Sequence, residues 1–357
     1  MIDLFDGFYK GKRILVTGHT GFKGSWLSVW LHELGADIVG VSLDPQTERD
    51  NFVLSKIGQK ITADIRCNIC DLKQMKSIFA EYKPEIVFHL AAQPLVRLSY
   101  EQPVETYETN VMGTVNVLEA IRHTDSVKVG VMITTDKCYD NKEQLRGYKE
   151  DDPFGGYDPY SSSKGACEIA IQSWRRSFFN PQEFEKHGKS VASVRAGNVI
   201  GGGDWAKDRI IPDCIRAIES GLPISIRSPK SVRPWEHVLE PLSGYMLLAK
   251  KMWENPTEYC EGWNFGPEED SVSTVWEVAT ELVKNFGKGE LKDCSDPNAV
   301  HEAKLLMLDI TKAKTRLEWK PRLNMQQCLE LVSDWYRRYK SEDVYNLCVE
   351  EIVRFIG

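Results

Sequence analysis

Thr134-Thr135-Asp136-Lys137-Cys138-Tyr139 closes the apolar run Val129 to Ile133. A hydroxyl, a carboxyl and an amine stand side by side where a buried strand is predicted to end. Such groups have little reason to gather at a strand terminus unless chemistry occurs there. Further on, Tyr160-Ser161-Ser162-Ser163-Lys164 sets a tyrosine and a lysine four residues apart. On a helix that spacing puts both side chains on one face. A lysine ammonium together with a cationic hydride acceptor near a phenol favours the phenolate, which would make Tyr160 a base near neutral pH. Thr135, Asp136, Lys137, Tyr160 and Lys164 together are equipped to remove protons, supply protons and attend a hydride transfer.

These residues need a scaffold, and the first two-thirds of the chain supplies one. Short β-rich runs at 13–17, 37–42, 61–64, 86–90, 129–134 and 190–194 read as strands. Between them lie helical patterns at 24–34, closed by Gly35, and at 72–82, capped by Asp71. Longer helices are predicted over 104–122 and 160–176. The alternation predicts a doubly wound parallel α/β sheet covered on both faces. After Gly201-Gly202-Gly203 the rhythm weakens and Pro and Trp become frequent. The expected organisation is a large domain over 1–199, with 233–267 returning to it. A smaller α/β lobe is expected from 200–232 and 268–357.

Composition excludes several classes. At 357 residues the chain can bury one large core with an appended lobe. A net charge of −7 leaves no basic surplus for general nucleic-acid binding. The start of the chain lacks the apolar core of a signal peptide and no run approaches membrane-spanning length, so a cytoplasmic protein is expected. Nine cysteines, scattered through apolar segments, suit reduced thiols. Cys67 and Cys70 form the one close pair, without the second pair or histidines that zinc would require. No metal is expected.

Gly18-His19-Thr20-Gly21-Phe22-Lys23-Gly24 lies between the first predicted strand and the first helix. Glycines there permit a tight turn and let backbone N–H groups approach a pyrophosphate at the helix N-terminus. Asp44 follows the second strand, where a carboxylate would bind an adenosine ribose and repel a 2′-phosphate. NAD is therefore favoured over NADP in a Rossmann-type fold. Asp64 and Ile65 are placed to flank the adenine. Leu90, Ala91, Ala92 and Thr109 complete the predicted cofactor wall, together with Tyr160 and Lys164.

In this order, the glycine loop, Asp44, the Thr135 strand end and Tyr160-x-x-x-Lys164 closely resemble the extended short-chain dehydrogenase/reductase family, from about residue 10 to residue 340. Within it, sugar-nucleotide 4-epimerases typically carry Ser-Ser/Ala at the strand end, and 4,6-dehydratases carry Thr-Asp-Glu. Thr135-Asp136-Lys137 keeps the acid and replaces the glutamate by lysine. That pattern is similar to the dehydratase branch acting on CDP-glucose. So are the phrases His89 to Arg97, Arg195 to Trp205 and Arg233 to Val238.

The resemblance implies oxidation at C4, loss of water across C5 and C6, and return of the hydride to C6. Asp136 is implied as the acid, and Lys137 as either the C5 base or a stabiliser of the enolate. It also implies that Gln93, Arg97, Asn198, Arg209, Arg233 and His301 contact the nucleotide sugar. A homodimer or tetramer is implied, built on helices 104–122 and 160–176 with Trp174, Ile169 and Val111 as candidate contacts. The family's usual destination is 3,6-dideoxyhexoses for surface polysaccharide. Three alternatives stay open at this point: a dTDP-glucose 4,6-dehydratase, a 4-epimerase and a non-catalytic NAD sensor.

Overall fold

The computed structural model describes residues 4–268, 272–295 and 305–357. Twelve strands are formed among them. In chain order they are β1 (Arg13–Thr17), β2 (Asp37–Ser42), β3 (Ala63–Arg66), β4 (Ile86–His89), β5 (Val129–Ile133), β6 (Ser190–Ala196) and β7 (Asn198–Ile200), then β8 (Ile224–Ile226), β9 (Val232–His237), β10 (Gly262–Phe265), β11 (Val272–Thr274) and β12 (Leu291–Asp293). Seven of these make one parallel sheet in the order β10-β6-β5-β4-β1-β2-β3. The central strands are apolar on both faces because helices cover both; every residue of β4 and β5 is buried. Strand order reverses between β1 and β4, and a parallel sheet opens a crevice at the carboxyl ends of such a pair. The fold is a Rossmann-type doubly wound sheet.

Several predicted boundaries move. The third strand is Ala63–Arg66, pairing Val39 with Ala63 and Ser42 with Arg66, two residues later than 61–64. The fourth and fifth strands stop at His89 and Ile133, so Leu90 and Thr134 lie just beyond the ladder. The sixth runs on to Ala196. The first helix is Phe22–Glu33, and Asp71 caps Leu72–Tyr82 through the backbone N–H of Gln74. The stretch predicted as one helix over 104–122 is broken into Pro103–Tyr107, a π turn Glu108–Met112 and Gly113–Arg122. The widened turn accompanies a buried Asn110. Its amide bonds the backbone of Gln93 in both directions and donates to Ser163 Oγ at 2.9 Å.

Strands β7, β9 and β11 form a separate three-stranded sheet, and β8 pairs with β12. Residues 233–237 therefore belong to the small sheet. Helix Leu239–Glu254 and β10 are the parts that return to the main sheet. One apolar cluster runs from Ile14 and Val16 through Trp26 and Trp30 to Trp335 and Phe355, so large sheet and C-terminal helices share a core. A second cluster covers the opposite face around Val87 and Met132. Among the described residues no helix is long and apolar enough to cross a membrane.

Helix Pro159–Ser177 is tied to this sheet by charge. Arg195 on β6 donates to both carboxylate oxygens of Glu168 at 3.0 Å, and both residues are buried. Thr134 and Ser193 hydroxyls also donate to Glu168. Removing one member of a buried pair leaves an uncompensated charge, at a cost of about 3–5 kcal/mol. Glu168→Ala should lower the urea unfolding midpoint accordingly, and an unchanged midpoint would show that the pair does not fasten helix to sheet.

Candidate active site

Thr135 ends the β5 segment as the cap of a short 3-10 turn, Asp136–Cys138, its hydroxyl accepting from the backbone N–H of Lys137. That turn aims three functional groups into a cavity of about 870 Å³ along the carboxyl ends of the sheet. The Thr135 hydroxyl donates to Asp136 Oδ1 at 2.9 Å. Lys137 Nζ lies 3.5 Å from the same oxygen and 3.5 Å from Asn198 Oδ1. Asp136 is buried, whereas the lysine side chain stays about a quarter exposed, at 28%. Acid and amine thus form an ion pair inside the cavity.

Tyr160 and Lys164 enter from helix Pro159–Ser177, capped by Asp158, and both line the same cavity. Burial pushes the Tyr160 phenol well up, and the hydrogen bond it shares with Thr135 partly opposes that. The Arg209 guanidinium opposes it as well. Lys164 Nζ reaches the Ile133 carbonyl at 3.5 Å, and burial lowers its pKa. In the protein by itself burial thus favours the Tyr160 phenol, and the expected activation includes the charge of a bound oxidised nicotinamide.

The glycine loop has little spare room. Gly18 sits at φ +76°, and a Cβ there would lie 2.7 Å from Ala91 N. A Cβ on Gly24 would lie 2.0 Å from the Gly18 carbonyl oxygen. The loop is thus a backbone cradle at the start of helix Phe22–Glu33, a fit for a dinucleotide pyrophosphate. Gly18, Thr20, Gly21, Phe22, Lys23, Gly24, Asp44, Leu90, Ala91, Ala92 and Thr109 all line the cavity. Lys23 turns inward to the Tyr245 hydroxyl at 3.3 Å; burial lowers its pKa to about 8, opposed by the Glu236 carboxylate.

Two cofactor candidates lie off the cavity wall. Asp64 and Ile65 do not line the cavity: Asp64 pairs with His19 Nε2 at 2.7 Å and with Arg66, and Ile65 packs into the second apolar cluster. The later register of β3 puts Cys67, Asn68 and Ile69 at the wall instead. Counting back from the Asp71 cap would have located them.

Of the substrate candidates, Arg97, Asn198, Arg209 and Arg233 line the cavity. Arg209 donates to Asp204 at 2.8 Å, and Arg97 lies 4.0 Å from Asp208. Gln93 does not face it: its amide donates to Leu95 O and Thr106 Oγ1, holding the loop after β4 in shape. His301 lies outside the described residues. Sequence reasoning missed the wall made by Asp204, Asp208, Asp213 and the β8 residues Ser225 and Ile226. A three-residue strand carries too little pattern to reveal it.

A strand-end acid–amine pair, a tyrosine–lysine helix and a pyrophosphate cradle thus share one cavity, and known proteins with this chain's pattern have a matching chemistry. The family model for GDP-mannose 4,6 dehydratase matches residues 15–332. The chain belongs to that nucleotide-sugar dehydratase family. Within it, a CDP-glucose 4,6-dehydratase of Salmonella typhimurium is 49% identical over 100% of this chain and 99% of its own. A dTDP-glucose 4,6-dehydratase of Haemophilus influenzae is 27% identical over 90% of this chain and 97% of its own. Among solved structures, MoeE5 in complex with UDP-glucose and NAD superposes with TM-score 0.76 at 25% identity, covering 92% of this chain and 100% of that one.

In this member of the family, Gly24→Ala forces the cradle open against the Gly18 carbonyl. Fluorescence titration with NADH should show dinucleotide affinity falling at least about tenfold, the equivalent of about 1.4 kcal/mol. Undiminished affinity would show that the loop does not hold the pyrophosphate.

Proposed function

We propose that this protein converts CDP-D-glucose to CDP-4-keto-6-deoxy-D-glucose and water, with NAD as a recycled cofactor. The observation that carries the reading is the Asp136–Lys137 pair, 3.5 Å apart in the cavity that also holds Tyr160. Oxidation and re-reduction alone would need Tyr160; an acid and an amine beside it are what elimination of water adds. The 49% identity to a CDP-glucose 4,6-dehydratase supports the same substrate.

Held by the Gly18–Gly24 loop and the wall carrying Asp44, NAD⁺ would supply hydride acceptance from C4, hydride return to C6 and a positive charge that favours the Tyr160 phenolate. Tyr160 takes the C4 hydroxyl proton while Thr135 hydrogen-bonds that oxygen. The new ketone acidifies the C5 hydrogen. The ion pair shares one proton between amine and carboxyl; with that proton on Asp136, Lys137 removes the C5 hydrogen and Asp136 protonates the departing C6 hydroxyl. The step ends with the C5 proton on Lys137 and the carboxyl ionised, which restores the ion pair. Lys137 then returns its proton to C5. Asp136 is left one proton short and Tyr160 one proton in excess. The Thr135 hydroxyl bonds Asp136 at 2.9 Å and relieves the Tyr160 phenol, which makes it the natural bridge for the reset.

Asn198, Arg209 and Arg233 hold the sugar diphosphate, Arg209 and Arg233 by guanidinium donors suited to phosphate oxygens. We place the reaction in the cytoplasm, feeding deoxysugars to surface polysaccharide. Two copies would meet through the helices around Pro103–Tyr107 and Pro159–Ser177, where Val104, Met112 and Ile169 are exposed. Of the other contacts expected there, Trp174 is partly buried and donates to Glu119, and Val111 is partly buried.

The test is turnover of CDP-, dTDP- and UDP-glucose with NAD⁺ in deuterated water. Loss of one water from CDP-glucose, with one deuterium at C5, is expected; equal or better turnover of dTDP-glucose would sink the CDP assignment. Asp136→Asn should reduce dehydration about 10²–10⁴-fold, the range of general acid catalysis, with NAD binding retained. Full activity would remove Asp136 from that role. Lys137→Met should abolish exchange at C5, and unchanged exchange would exclude Lys137 as the base.

A further inference from the structure

Past Arg209 the cavity has a slot lined by Ile211, Asp213, Ser225, Ile226, Arg227 and Val275, from helix Ile210–Ser220, β8 and the segments that follow. Three of these side chains are aliphatic, and a carboxylate and a guanidinium stand among the rest. Asp213 is one turn after Arg209 on the same helix face, about 6 Å further along the axis. With Arg209 on the diphosphate, that spacing puts Asp213 within a nucleoside's length of the phosphates. Its carboxylate is held by Arg216, which itself donates to the Trp205 carbonyl at 3.0 Å and the Ala206 carbonyl at 3.3 Å. Arg227 is held in turn by Asp208. These two charged groups are thus fixed before any base arrives.

We propose that Asp213 is the residue that selects cytosine, accepting a hydrogen bond from the exocyclic 4-amine, with Arg227 beside it donating to N3. Cytosine presents a donor at C4 next to an acceptor at N3. Uracil and thymine present the reverse, a carbonyl at C4 next to N3–H. An anionic acceptor facing that carbonyl repels it, and both groups lose water without gaining a partner. A site built to bond a substrate donor rejects the analogue lacking it far more strongly than an apolar pocket rejects a change of size. This inference rests on the proposed nucleotide-sugar substrate and goes on to say which side chain reads its base.

The experiment compares kcat/KM for CDP-glucose, UDP-glucose and dTDP-glucose in the wild type, Asp213→Leu and Asp213→Asn, with calorimetric binding of CDP and UDP alongside. The wild-type preference tests the substrate by itself: no preference for CDP-glucose defeats the functional reading. Given that preference, the CDP-to-UDP ratio should fall about 10- to 100-fold in Asp213→Leu, the loss carried by a raised KM and matched by weaker CDP binding. Asp213→Asn is nearly isosteric, and its amide can turn either face to the base, so it should gain UDP-glucose turnover even where the leucine variant folds poorly. A CDP-to-UDP ratio unchanged in Asp213→Asn, in turnover and in binding, overturns the proposal.

Discussion

Everything in the cavity is referred to one buried ion pair, Glu168 with Arg195. Glu168 sits on the same helix as Tyr160 and Lys164, at successive intervals of four residues, so it occupies the same face. Its carboxylate is bonded by Arg195 and Ser193 of β6 and by Thr134, the residue before Thr135. One carboxylate therefore sets the distance between the helix that brings the tyrosine and the strand end that brings the acid and the amine. Arg195 extends the frame by donating to the Tyr139 hydroxyl and the Glu150 carbonyl. A charge pair excluded from water is a poor source of net stability, but it has a narrow range of allowed geometries, and narrowness is what a multi-step site needs.

The charges around the cavity are arranged as a balance. Lys23, Lys164 and Arg209 face Asp136 and Glu236, and burial drives the Lys23 amine down and the Glu236 carboxyl up. Both Glu236 oxygens lack a partner. Burial favours the neutral form of such a carboxyl, so Glu236 adds little negative charge to the surroundings of Asp136.

The sequence was most readable where a residue's type dictates its backbone. The glycine loop, the Asp71 cap and the Gly35 stop all stand where turn and cap chemistry requires them. Tyr160 with Lys164, and Thr135 to Lys137, were legible because their spacing and position carry chemistry. It was less readable where long-range pairing overrides local pattern. The β3 register is set by its ladder with β2, which put Asn68 and Ile69 at the cavity wall in place of Asp64 and Ile65. Gln93 looked like a ligand but is consumed by bonds to Leu95 and Thr106. The π turn at Glu108–Met112 and the slot at Asp213 arise from packing between segments distant in sequence, and no local periodicity announces them.

The shared core has a kinetic consequence. Trp26 and Trp30 of the first helix pack in one cluster with Trp335 and Phe355 of the last two helices. Swinging the small lobe away from the sheet would expose that cluster to water, at about 25 cal/mol for every Å² uncovered. Hinge bending, the common way for two-lobed enzymes to admit a ligand, is therefore closed to this one. Passage of a nucleotide sugar then depends on parts of the cavity wall outside that cluster, among them those carrying Tyr157 and Asp208. The pace of turnover is then open to tuning by exposed residues that never touch the reacting carbons.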